Sequence, residues 1–112
     1  MKIFISLPMS GYTDEDIQNR LSKISLELKN IFIGKKIELI DNFNYIGGNS
    51  INEATVRIGN DTINTSVWYL GRAIQLLAKV DAIYFAPGWE SAKGCRIEHA
   101  VAEEYKIKII ES

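Results

Sequence analysis

The chain has 112 residues, 46% of them hydrophobic and 24% charged, with a formal net charge of -1. That is the balance of one ordinary globular domain, 1–112, long enough to bury a core without staples. It argues against a nucleic-acid polymer or an anionic membrane as partner, and the single Cys95 excludes an intrachain disulfide and fits a reducing compartment. No stretch approaches the roughly 20 apolar residues of a membrane helix, so the expected location is the cytoplasm.

In chain order, Ile3 to Ser6 is a short β-branched and aromatic run that ends in Leu7-Pro8-Met9-Ser10-Gly11, a buried strand feeding a loop. Thr13 and Asp16 have the spacing of a capping box, and the acids of the first turn suit a helix dipole. Ile17, Leu21, Ile24, Leu28 and Ile31 then mark the core stripe of an amphipathic helix that Gly34 ends. Lys36 to Ile40 reads as a second strand. Asp41 to Asn64 is long and irregular, with Gly47-Gly48 and one short helix expected near Ile51 to Val56. Val67, Leu70, Ile74 and Leu77 mark a second helix, capped by Thr65 or Ser66. Ala82 to Ala86 is a continuous apolar run, as expected of a strand covered on both faces. Pro87 to Ser91 forms the next loop. A third helix runs from about Lys93 to Tyr105 with Ile97, Ala100, Val101 and Tyr105 on one face, and Ile107 to Ile110 is the last strand.

Strands alternating with helices predict an α/β domain with a doubly wound, mostly parallel sheet of four to five strands and helices on both faces. In that architecture a ligand crevice forms at the carboxyl ends of the strands. Two loops lie there, Ser6 to Gly11 and Pro87 to Gly94.

The strand-loop-helix passage from Pro87 to Glu98 places Ser91, Gly94 and free backbone N–H groups at a helix N-terminus, a general anion site to which Lys93 and Arg96 add charge. The same residues equally read as an ordinary cap, with Ser91 capping and Gly94 easing the turn. Glu98 lies one helical turn further on, one position off the Ile97–Val101 stripe, at the border of the buried face. A carboxylate there can serve as nucleophile or general base, or be a solvated helix acid like Glu103 and Glu104. Cys95 sits in the first turn, where a thiolate is favoured, but without a histidine on its face it reads as a small packed residue. His99 is the only histidine and has no partner at ligand spacing, so no metal is expected. Ser6 and Ser10 can bind a sugar or phosphate or serve the turn. Tyr12 lines the crevice or covers the first helix. Trp89 offers a face for a nucleobase or a plug for a subunit interface. Asp81 precedes its strand and so belongs to the opposite edge. No Walker-type loop and no GxGxxG is present, so neither a triphosphatase nor a dinucleotide oxidoreductase is expected, and no cofactor.

Two passages carry a resemblance. Lys2-Ile3-Phe4-Ile5-Ser6-Leu7-Pro8-Met9-Ser10-Gly11 resembles the Ile-Ser-Gly-Pro-Met-[Ser/Thr]-Gly opening of small uncharacterised proteins common in phages and prophages. Asp81-Ala82-Ile83-Tyr84, Pro87-Gly88-Trp89-Glu90-Ser91 and Gly94-Cys95-Arg96-Ile97-Glu98-His99-Ala100 resemble the second signature of the same proteins, Asp-Ala-Ile, Pro-Gly-Trp, then Ser-x-Gly-Ala-x-x-Glu-x-Ala. That group looks like a branch of the nucleoside 2-deoxyribosyltransferase superfamily. The resemblance implies a flavodoxin-like fold, a nucleoside or nucleotide ligand and a homo-oligomer, in the cytoplasm of a bacterium or of a phage-infected host. It implies Glu98 as the nucleophile at the anomeric carbon and Ser91 and Gly94 as the holders of a 5′-phosphate or 5′-hydroxyl. Ser6, Pro8, Met9, Gly11, Tyr12, Gly88, Trp89 and Lys93 complete the implied binding set. Leu7 stands where the opening motif has Gly, and Glu90 is the nearest second acid.

Three functions follow as expectations. The first is an N-glycosidic bond hydrolase or 2-deoxyribosyltransferase. The second is a non-catalytic binder that sequesters a nucleotide-derived signal, as a phage counter-defence protein would. The third is a structural oligomer with a vestigial pocket, built through Trp68, Tyr69 or Trp89.

Overall fold

Strand β1 (Lys2–Ser6), apolar from Ile3 to Ile5, and strand β5 (Ala82–Phe85), apolar throughout, lie side by side at the centre of one parallel sheet. The computed structural model describes residues 1–42, 57–58, 61–62 and 65–111. Strand β2 (Glu38–Asp41) pairs with the outer side of β1, and β6 (Lys108–Glu111) with the outer side of β5, giving the order β2-β1-β5-β6, all parallel. The registers run Ile3 beside Leu39 and Ala82, and Ile83 beside Ile109. A separate antiparallel pair, β3 (Arg57–Ile58) and β4 (Asp61–Thr62), lies inside the segment expected to be irregular. The helix expected at 51–56 lies outside the described residues.

Helix α1 (Asp14–Ile31) covers one face of the sheet, and α2 (Thr65–Leu77) and α3 (Lys93–Glu104) cover the other. This is the α/β flavodoxin-like arrangement expected from the alternation of elements. The two faces follow from the chain path. From β1 the chain steps outward through α1 to β2, then returns across β1 to β5 and steps the other way to β6. Reversal of direction with crossovers of one hand sends the helices to opposite faces. The pleat divides the core accordingly. Ile3, Ile5, Tyr84 and Ala86 pack with Ile17, Leu21, Ile24 and Leu28, while Phe4, Ile83 and Phe85 pack with Ala73, Leu77 and Ala102.

Thr13 closes a capping box on α1: its Oγ1 accepts from the Asp16 N–H at 3.1 Å, and Asp16 Oδ2 accepts from the Thr13 N–H at 3.4 Å. The expected stripe ends one turn early. Ile31 is exposed, and Phe32, just past the helix, packs on the cluster in its place. Helix α2 is rotated from its expected face: Ala73 and Leu77 are buried and Val67 is exposed. Thr65 and Ser66 lie inside its first turn, so neither precedes the helix as a cap. Helix α3 departs most. Cys95, Glu98 and Ala102 are its buried residues, whereas Ile97, Ala100 and Tyr105 are exposed and Val101 is half-buried. Small Cys95 and Ala102 let the helix lie close on the sheet, and that register carries Glu98 inward. Asp81 lies at the amino end of the sheet, where its Oδ2 accepts from the Lys2 N–H at 2.7 Å. No helix among the described residues is long and apolar enough to cross a membrane.

Candidate functional site

Strand order reverses between β1 and β5, so their carboxyl ends, Ser6 and Phe85, open a crevice at the topological switch point. The Ala86 N–H donates to the Ser6 carbonyl at 3.0 Å and is the last rung before the two loops part. Into this gap α3 points Glu98. The side chain is only 5% exposed, and the Ser6 hydroxyl donates to its Oε1 at 2.8 Å. Burial pushes the Glu98 carboxyl from its ordinary 4.5 up to about 7, and the Ser6 hydrogen bond pulls against that rise. The carboxyl therefore exchanges its proton near neutral pH, as an acid–base or nucleophilic group requires.

Glu98 lines a cavity of about 520 Å³, a volume in the usual range for small-molecule sites. One wall is Pro8, Met9 and Ser10 from the loop after β1. The second is Ser91 to Gly94 ahead of α3. The third is Ser66, Tyr69 and Leu70 of α2, and Asp41 and Asn42 close the end beyond β2. Leu7 is buried in the α1-side core as well as lining the floor. The Cβ that distinguishes it from glycine thus packs into the domain, and the cavity remains with Leu7 in place.

The helix start differs from an ordinary Ser cap. Residues Trp89–Ser91 form one 3-10 turn, entered through Gly88 at φ 90, and the N-cap of α3 is Ala92, which offers no side-chain hydrogen bond. Such helix starts leave backbone donors for a ligand or for water. Ser91 and Lys93 are exposed beside them.

The structure brings Pro8, Met9, Ser91, Lys93, Gly94 and Glu98 around one cavity, with Ser6 behind Glu98. The remaining expected residues lie elsewhere. Gly11 (φ 85) belongs to the turn beyond the cavity wall, and the Tyr12 ring lies under the Arg20 guanidinium at 4.8 Å. Gly88 shapes the turn, and the Trp89 ring stacks on His99 at 4.0 Å and tilts against Phe85 at 5.4 Å. His99 faces away from the cavity: its ring nitrogens meet Glu103 at 2.9 Å and Glu111 at 3.2 Å. Glu90 is exposed and lies outside the lining, and Trp68 packs edge-on against Tyr69.

Asp41 and Arg20 escaped the sequence reading, while Cys95, read there as a small packed residue, is buried beside Glu98. Cys95 is one helical turn before Glu98 on the same face, a spacing that points both side chains one way. Burial pushes its thiol up to about 11. A hydrogen bond with Ser6 and the nearby Arg20 charge lower it, and the Glu98 charge adds to the rise. Burial thus outweighs the helix terminus, and Cys95 is a neutral thiol at physiological pH. Asp41 ends β2, and the strand-end rule that located the other loops applies to it equally. Arg20 lies between Ile17 and Leu21 on α1. Its Nη1 donates to the Pro8 carbonyl at 3.2 Å and its Nη2 to the Pro87 carbonyl at 3.1 Å. Among the described residues no group of three His, Cys, Asp or Glu converges as metal ligands do.

Residues 37–111 match the model of a domain of unknown function, DUF4406. The chain belongs to this family. The match takes in Asp41, the helix start from Ser91 and Glu98, whereas Ser6 and the Pro8 loop precede it. No curated protein and no solved structure matches the chain.

Proposed function

We propose that this DUF4406 domain cleaves the N-glycosidic bond of a nucleoside or nucleotide, by hydrolysis or by transfer to a second base, with Glu98 as nucleophile. The observation that carries the reading is the buried Glu98 carboxyl, held by Ser6 and facing the cavity at the switch point between β1 and β5. The resemblance to the nucleoside 2-deoxyribosyltransferase superfamily supports the substrate class. In this reading an ionised Glu98 oxygen bonds to the anomeric carbon as the carbon–nitrogen bond breaks, and the base leaves with the electron pair. The departing base takes up a proton from water. Water then attacks the anomeric carbon of the glycosyl ester, its surplus proton passes to solvent, and Glu98 leaves as the carboxylate. The uncapped start of α3, with Ser91 and Lys93, binds the 5′ end of the sugar.

A second reading, binding without cleavage, is favoured by the raised Glu98 value itself. A carboxyl at about 7 is substantially protonated at neutral pH and can donate a hydrogen bond to a retained ligand. One experiment separates the two. Purified protein is incubated with a panel of ribo- and deoxyribonucleosides and their 5′-monophosphates, and free base is measured by mass spectrometry. Release of a base, reduced by about three orders of magnitude or more in Glu98→Ala, is the expected result. Undiminished release in Glu98→Ala would overturn the assignment of Glu98. An intact nucleotide carried through purification with no base formed would establish the binding reading instead.

A further inference from the structure

We propose that Arg20 is a positioning residue that fastens the loop after β1 to the loop after β5 and so sets the mouth of the cavity. The two loops part after the Ala86–Ser6 rung, and Arg20 reaches both. One guanidinium nitrogen donates to the Pro8 carbonyl at 3.2 Å and another to the Pro87 carbonyl at 3.1 Å. The loops also approach each other directly there, since a Cβ on Gly88 would lie 4.0 Å from Pro8 Cγ. Tyr12 supports the guanidinium from its ring face.

The bridge is anchored at its base and branched at its tip. Ile17, Leu21 and Ile24, on either side of Arg20, are buried in the core, so the stem rises from a fixed stretch of α1. A guanidinium is a rigid fork with donors on separate nitrogens, which lets it serve two carbonyls on two loops at once in a fixed geometry. The single ammonium of a lysine does not reproduce it. What the fork holds bears on the site: Pro8 begins one cavity wall, and Pro87 begins the turn that delivers Ser91 to Gly94 to the other. The inference stands on this geometry and does not depend on which reaction, if any, the cavity supports.

Native-state amide hydrogen exchange on the ligand-free protein tests it, comparing wild type with Arg20→Met and Arg20→Lys. The reporters are the Tyr12 N–H bonded to the Met9 carbonyl, and the Trp89 and Ser91 N–H groups bonded to the Ala86 and Gly88 carbonyls. In Arg20→Met, exchange at both loops is expected to rise together, by about tenfold or more, as befits loss of a charge-assisted hydrogen bond. Exchange in β1 and β5 is expected to hold. Arg20→Lys falls between, and it carries the test alone if the methionine variant does not fold. Loosening of one loop only, an equal rise in the core strands, or no change in either loop would overturn the inference. A second arm rests on the nucleosidase reading. If the wild type releases base from a deoxynucleoside 5′-monophosphate, Arg20→Lys should raise KM about tenfold with kcat little changed, and a loss confined to kcat would count against it. If the wild type releases none, that reading fails while the exchange arm still decides the role of Arg20.

Discussion

Replacing Glu98 by Gln should make the domain more stable, and increasingly so as pH rises. The side chain is nearly isosteric, and the amide oxygen still accepts from the Ser6 hydroxyl, so what is lost is the ability to ionise. Burial raises the carboxyl from 4.5 to about 7 in the folded chain. Between those two values the native state holds a proton that the unfolded chain has released. Stability from this group is therefore fully present below pH 4.5 and is lost as pH rises through about 7, above which it levels off. The interval between the two values is worth about 3 kcal/mol, a large fraction of the stability of a domain this size. Urea unfolding followed by circular dichroism, on wild type and Glu98→Gln at steps from pH 4 to pH 9, reads the difference directly. The gap in favour of the variant should open by about 3 kcal/mol across that range, most of it between pH 4.5 and 7. A gap independent of pH, or one that closes as pH rises, would refute the claim that an uncompensated buried carboxyl occupies this position.

Three further outcomes follow from the same geometry. Ser6→Ala removes the hydrogen bond that holds the Glu98 value down, so the rising limb of a kcat/KM against pH profile should move to higher pH. A limb that stays near 7 or moves lower would count against that link. Cys95, buried and with its thiol pushed up to about 11, should react with an aromatic disulfide reagent at pH 8 only after denaturation, and rapid stoichiometric labelling of the native protein would contradict its placement. Gly88→Ala should destabilise by about 1–2 kcal/mol. The cost comes from the backbone at φ 90, since the added Cβ would meet Pro8 only at ordinary contact distance. An unchanged denaturation midpoint would show that the turn relaxes.

The sheet was legible because its signals are local and redundant. The apolar runs of β1 and β5, and the capping box at Thr13 with four of the five stripe residues of α1, each point to one element and one face. The faces of α2 and α3 were not legible, for a physical reason. Helix α3 buries Cys95, Glu98 and Ala102, two small side chains and a carboxylate, while Ile97 stays exposed. An apolar stripe chosen by bulk therefore selects the wrong side by about one residue. That error also placed Glu98 at the border of the buried face. Arg20 was hidden differently: it interrupts an apolar stripe as a surface residue would, and only the tertiary approach of two loops gives its fork a purpose. Asp41 escaped notice because, taken alone, it is only a strand end, whereas Cys95 is buried as the small packed residue the sequence suggests.

The stability prediction and the proposed reaction act on the same atom with opposite signs. A glutamine at position 98 would satisfy Ser6 and spare the domain the energy of desolvating a charge, so packing alone favours the amide. The carboxyl is instead buried at the one place in a parallel sheet where ligands are received, with its proton poised near neutral pH. A vestigial pocket predicts that Glu98→Gln gains stability and loses nothing. An N-glycosidic enzyme predicts that the variant gains stability and loses base release together, the trade expected where a site is strained for chemistry. A binder predicts the gain in stability with ligand retention intact, because the amide of the glutamine can donate where the protonated carboxyl did. Measuring stability, base release and nucleotide retention on that one variant assigns the cavity to one of the three.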